Sequence, residues 1–137
     1  MQQFAQPLFI SIRGMTPRPA IPADIPASIK LTNWRKFVVD KIQSRYDKST
    51  IQGITSQTRF EVDIVFMLTP AEFAKDLDNL AKALLASLFR ENYQIKGKGI
   101  GAALFDVDDV NVVKLTLEKR QVSNQMDEGA DITVIWK

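Results

Sequence analysis

The sequence predicts a single α+β domain, in which a mixed sheet of about four strands packs against two helices in the order β-α-β-α-β-β. Three observations carry this expectation. Apolar residues alternate with period two in separate stretches, apolar residues recur at three- and four-residue steps in two others, and no repeat or linker interrupts the 137 residues. That length suits one domain spanning 1–137, and 45% hydrophobic residues is enough for one core.

Each element follows from its pattern. Leu8, Ile10 and Ile12 alternate with Phe9, Ser11 and Arg13, which reads as a first strand. The proline-rich stretch Gly14-Met15-Thr16-Pro17-Arg18-Pro19-Ala20-Ile21-Pro22 reads as an extended loop, because proline fixes φ and lacks an amide donor. Thr32 or Asn33 is expected to cap a helix to about Tyr46, with Trp34, Phe37, Val38 and Ile42 on one face. Phe60, Val62, Ile64, Phe66 and Leu68 give the clearest strand signal.

A second helix is marked by Leu77, Leu80, Ala81, Leu84, Leu85 and Leu88. Two starts are open for it. Thr69-Pro70-Ala71-Glu72 has the form of a capping box with proline at the first helical position, whereas a loop over 70–75 would delay the start to Asp76 or Asp78. Lys96-Gly97-Lys98-Gly99-Ile100-Gly101 reads as a basic glycine loop that brushes a DNA backbone or is simply solvated. At the C-terminal end, Val113, Leu115 and Leu117 and then Ile132, Val134 and Trp136 alternate around a turn at Asp127-Glu128-Gly129. They are expected to form an antiparallel hairpin.

Composition narrows the chemistry. The sequence has no Cys and no His, which excludes disulfides, thiolate zinc sites, cysteine nucleophiles and His-dependent triads. Carboxylates, lysine and a hard oxygen-seeking cation such as Mg²⁺ or Mn²⁺ remain. No apolar run reaches the roughly 18 residues that cross a bilayer, and no basic-then-apolar leader opens the chain, so no membrane partner and a cytoplasmic location are expected. The net charge is only +2, but five of the sixteen acidic residues fall in two clusters, Asp76/Asp78 and Asp106/Asp108/Asp109. A divalent ion at those clusters would leave a basic surface compatible with a polyanion.

Taken singly, each cluster has a plain structural explanation. Carboxylates cap helix N-termini, and Asp78 with Lys82 forms an ordinary helical ion pair. Adjacent Asp108 and Asp109, before a strand, repel one another unless a cation or water neutralises them. A calcium loop counted from Asp106 fails, with Asn111 at the glycine position and Leu117 at the glutamate position. An Asp-x-Asp phosphotransferase expects its first Asp directly after a strand, but Leu68 lies eight residues before Asp76. Together, the clusters could converge at one edge of the sheet and hold Mg²⁺ with its waters against a phosphate. Lys82 would add positive charge beside the scissile group.

Asp76-Leu77-Asp78-Asn79-Leu80-Ala81-Lys82, followed by Asp108-Asp109-Val110-Asn111-Val112-Val113 and Glu118-Lys119-Arg120, resembles the signature of the RusA family, endodeoxyribonucleases that resolve Holliday junctions. The resemblance spans roughly 60–137, with Asn111 where the family carries Gln and Glu72-Phe73-Ala74 where it is often Arg-rich. It implies a homodimer acting on branched DNA and cutting opposing strands symmetrically, with Mg²⁺ as cofactor and Mn²⁺ as substitute. It also implies metal-site roles for Asp76, Asp78 and Asp109, an assisting Asp108, and catalytic support from Lys82. Lys75 stands where the family places a basic residue, and the family's loop there favours the later helix start. Arg13, Arg18, Lys96 and Lys98 are the further expected DNA contacts. A non-catalytic module that binds junctions on the same scaffold is the alternative.

Overall fold

The computed structural model describes residues 6–46, 51, 53–90 and 104–137. Strand β1 (Leu8–Arg13) buries every second residue, so Leu8, Ile10 and Ile12 face inward. Helix α1 (Ile25–Arg45) follows, then β2 (Phe60–Leu68), α2 (Leu77–Leu88), the short β3 (Phe89–Arg90) and β4 (Phe105–Asp108), β5 (Val112–Gln121) and β6 (Gly129–Trp136). The fold is α+β, as expected, with a four-stranded mixed sheet and two helices. A separate two-stranded ribbon of β3 and β4 was not anticipated.

The sheet order is β1-β6-β2-β5, with β2 parallel to β5 and antiparallel to β6. The expected C-terminal hairpin therefore does not form, because β2 lies between β5 and β6. β2 is buried at almost every position toward its end and profits most from two flanking strands, whereas β5 is largely exposed and takes the edge. The chain from β5 to β6 crosses the end of β2, where the Val122 amide donates to the Leu68 carbonyl at 2.9 Å.

One face of the sheet carries the core. Leu8, Ile10, Ile12, Phe60, Val62, Ile64, Phe66, Ala130, Ile132 and Val134 pack there with Trp34, Val38 and Ile42 of α1 and Leu80, Leu84 and Leu88 of α2. Between the start of β2 and the end of α2 sits an aromatic cluster. Phe60 meets Phe89 edge-on and Phe105 at a tilt, each at 4.9 Å between ring centres, and Trp136 closes the group. This contact fixes the direction of α2, which runs back along the sheet from the end of β2 to its beginning.

Helix α1 starts well before the expected Thr32 or Asn33. Asp24 is its cap, accepting from the Ala27 amide at 2.8 Å, and Pro26 sits in the first turn where no intrahelical donor is needed. Ile25 and Ile29 on this added stretch are exposed, so no apolar stripe marked it. Thr32 lies inside the helix and returns its hydroxyl to the Ser28 carbonyl at 3.1 Å.

Candidate acidic site at the start of the second helix

The later of the two starts is the one the chain adopts. Pro70–Glu72 form a single 3₁₀ turn, and α2 proper begins at Leu77 with Asp76 as its cap. One oxygen of Asp76 accepts from the Asp78 amide at 2.9 Å, and its backbone carbonyl accepts from Leu80 at 3.1 Å. Thr69 is no helix cap here. Its amide and hydroxyl both donate to the carboxylate of Glu128 at 2.9 Å.

Glu128 is the anchor of this corner, although its sequence neighbourhood marks it only as part of a turn. It is 1% exposed, and the Thr16 hydroxyl donates to its other oxygen at 2.6 Å. Burial raises its pKa. Hydrogen bonds from Thr16 and from the Thr69 amide and hydroxyl, with the nearby Lys75 charge, outweigh burial and leave its carboxyl below the ordinary range. The same residue ties the exits of β1 and β2 together at the start of β6, since its carbonyl accepts from Gly14 at 3.0 Å. A period-two pattern gives no sign of such a residue. The adjoining Gly129 is the only local hint, because a β-carbon there would lie 1.8 Å from the Ile12 carbonyl oxygen.

Two lysines complete the support. Lys75 donates to the Pro17 carbonyl at 2.9 Å and pairs with Glu72 at 2.6 Å. Burial pulls its ammonium pKa down and the neighbouring Arg18 adds to that, while Glu72 opposes both. Lys119 of β5 donates to the Phe73 carbonyl at 2.8 Å and stands 5.3 Å over the Phe73 ring. From the opposite side, the Ala20 amide donates to the Asn79 carbonyl at 2.9 Å. Held this way, Asp76 and Asp78 are exposed side by side at the helix N-terminus, with Lys82 exposed one turn further. Lys75 and Arg18 are half-buried beside them.

Asp109 lies elsewhere. It is exposed in a 3₁₀ turn, Asp109–Asn111, that precedes β5. Asn111 fastens this turn by donating to the Ser56 and Thr58 carbonyls, both at 2.9 Å, just ahead of β2. Because β2 and β5 run parallel, the turn stands where β2 begins, whereas Asp76 and Asp78 stand where it has ended. Nine strand residues separate the two places, roughly 25 Å at about 3.3 Å per residue. An Mg²⁺ ion reaches its ligands at about 2.1 Å, so no ion touches both groups of one chain. The expected convergence of the two clusters at one edge does not occur within the chain. The backbone of Asp108 closes β4 beside Asp109; its side chain and that of Asp106 lie outside the described residues. Among the described residues, no group of three or more acidic side chains is gathered closely enough to hold a metal ion.

The expected DNA contacts divide. Arg13 is engaged with Asp131 at 2.9 Å on the helix-free face of the sheet, and Asp131 also accepts from Ser11. That engagement, with the hydrogen bonds from Arg13 and Ser11, holds Asp131 below the ordinary carboxylate range against the effect of burial. Arg18 and Lys75 share the corner with Asp76, and Lys96 and Lys98 lie outside the described residues. A depression of about 420 Å³ lined by Pro7, Arg59, Glu61, Val113, Ile135 and Trp136 sits at the far end of β2. Among the described residues that line it, Glu61 is the one acidic side chain, and it stands 3.9 Å from Lys114. No helix is long and apolar enough to cross a membrane among the described residues.

No family model, curated protein or solved structure matches the chain.

Proposed function

We propose that the chain is a Mg²⁺-dependent endodeoxyribonuclease of RusA type, which resolves four-way DNA junctions as a homodimer. The observation that supports this reading is the corner at the start of α2. There the Asp76-Leu77-Asp78 pair is presented to solvent with Lys82, Lys75 and Arg18 around it, on a backbone braced by Glu128 and Lys119. Two carboxylates are what Mg²⁺ takes from a protein when waters and a substrate phosphate fill its remaining positions. Asp76 spends one oxygen on its cap, and among the described residues no hydrogen bond engages its other oxygen or the exposed Asp78 carboxylate. The ion would supply Lewis acidity at the phosphate and an activated water for in-line attack. Lys82 would offset charge on the phosphate, and Arg18 with Lys75 would seat the strand beside it.

Asp109 enters this reading only through the dimer. With the two acidic groups at opposite ends of β2, a site using both draws them from two protomers. The test is cleavage of a fixed four-way junction under Mg²⁺ or Mn²⁺ titration, with both strands end-mapped. Paired symmetric nicks are expected, falling to background in Asp78→Asn and Asp109→Asn. Intact junctions, flaps and forks with either metal would refute the enzymatic reading.

The separation of the clusters favours one second reading, a junction-binding module without catalysis. Salt-sensitive gel-shift binding to the junction, with no cutting at any metal concentration, would select it.

A further inference from the structure

We propose that β5 is a self-complementary edge, through which two copies of this chain pair antiparallel about a two-fold axis at Thr116. The proposal concerns association alone and stands whether or not the chain is a nuclease.

Among the described residues, β5 pairs with β2 and with no other strand. Its register from Lys114 to Gln121 is unbroken. Gln121 faces Leu68, and the next amide, Val122, donates to the Leu68 carbonyl. In a parallel ladder, the residues flanking a paired one make the bonds. Even-numbered positions of β5 therefore spend their backbone groups on β2, and Leu115, Leu117 and Lys119 turn theirs to the open edge. On the helix side of that edge, Leu115 remains 40% exposed, unusually bare for a residue level with buried Val62.

An isologous antiparallel pairing must match outward-turned residues with outward-turned residues, which confines the axis to a residue and excludes positions between residues. Side-chain charge then selects among the residues. With the axis at Thr116, Leu115 and the partner's Leu117 exchange both backbone bonds on the helix side. On the other face, Lys114 meets the partner's Glu118, and symmetry gives that ion pair twice. An axis at Lys114 or Glu118 sets like charges opposite one another. An axis at Leu117 sets Lys114 against the partner's Arg120, and one at Leu115 gives up both ion pairs. Lys114 and Glu118 are free to turn. Their side chains are 68% and 49% exposed, and their present partners, Glu61 and Arg120, are exposed too.

The resulting sheet has eight strands, with both helix layers on one side. It also carries each Asp109 to the end of the sheet where the partner's Asp76 and Asp78 stand, since position 109 falls opposite 123 in this register.

The absence of Cys gives a direct readout of the register. Thr116 and its symmetry mate form a non-hydrogen-bonded pair, whose Cα atoms are about 4.5 Å apart, within disulfide range. Under mild oxidation, Thr116→Cys should cross-link into a dimer more than about tenfold faster than Lys114→Cys or Glu118→Cys, whose own mates lie four strand residues apart, roughly 13 Å. By sedimentation, Lys114→Glu and Glu118→Lys should each weaken dimerisation roughly tenfold or more, and the double swap should restore it. Circular dichroism checks that each variant is folded. A monomeric wild type, equal cross-linking at all three positions, or a folded double swap that stays monomeric would overturn the proposal.

Discussion

Glu128 shows how one buried carboxylate can organise a corner that ordinary patterning leaves unmarked. It accepts three hydrogen bonds, from Thr16 and from the amide and hydroxyl of Thr69, and it feels the Lys75 charge. Hydrogen bonds to a charged group are worth more than neutral ones, and a buried donor left without its acceptor is costly. Replacing Glu128 with Gln keeps the shape and removes the charge, so a loss of about 1–3 kcal/mol at neutral pH is expected from urea unfolding. The pH dependence has a definite sign. The folded-state pKa lies below 4.5, so the charged form stabilises the fold fully above about 4.5, and that contribution is lost as pH falls through the depressed folded value. The stability gap between wild type and Glu128→Gln should therefore narrow in acid. A gap constant from pH 7 to pH 3 would show that the charge contributes nothing.

At the scale of elements, the four strands of the main sheet and the second helix are legible because their signals are local, whereas the short β3 and β4 carry none. β1 and β2 alternate with period two, and α2 carries its leucines at helical spacing next to an Asp that caps it. The expected cap of helix α1, Thr32 or Asn33, lies eight or nine residues after the observed cap Asp24, for a reason that is equally local. Its first turns leave Ile25 and Ile29 exposed and reach the core only at Leu31, so the Asp24 cap and Pro26 are their main marks, within a stretch where other prolines spell an extended loop. Asp24→Ala removes the side-chain acceptor of the Ala27 amide and should cost about 1 kcal/mol, with a measurable loss of helical circular dichroism. An unchanged spectrum and melting point would mean that this segment is held by something other than its cap. The misread hairpin has a different origin. β5 and β6 are neighbours in sequence, and local pattern has no means to show that β2, some fifty residues upstream, inserts between them.

At the scale of the whole molecule, the same long-range register decides what the acidic residues do. The motif around Asp76 and that around Asp109 were both visible in the sequence, as was the residue chemistry suited to a hard cation. Their relative placement was not, because it depends on β5 being parallel to β2, with α2 spanning the return. If both groups serve one metal-dependent reaction, each site takes Asp76 and Asp78 from one chain and Asp109 from the other. Mixing two inactive variants then has a calculable outcome. A heterodimer of Asp78→Asn with Asp109→Asn carries one site with both defects and one with none. Equal amounts reshuffled at random give half heterodimers, so junction nicking should return to about a quarter of the wild-type rate, as nicks in one strand per dimer. Sites completed within single chains would leave the mixture as inactive as its parts. The wild type and both single variants, subjected to the same reshuffling, provide the reference rates.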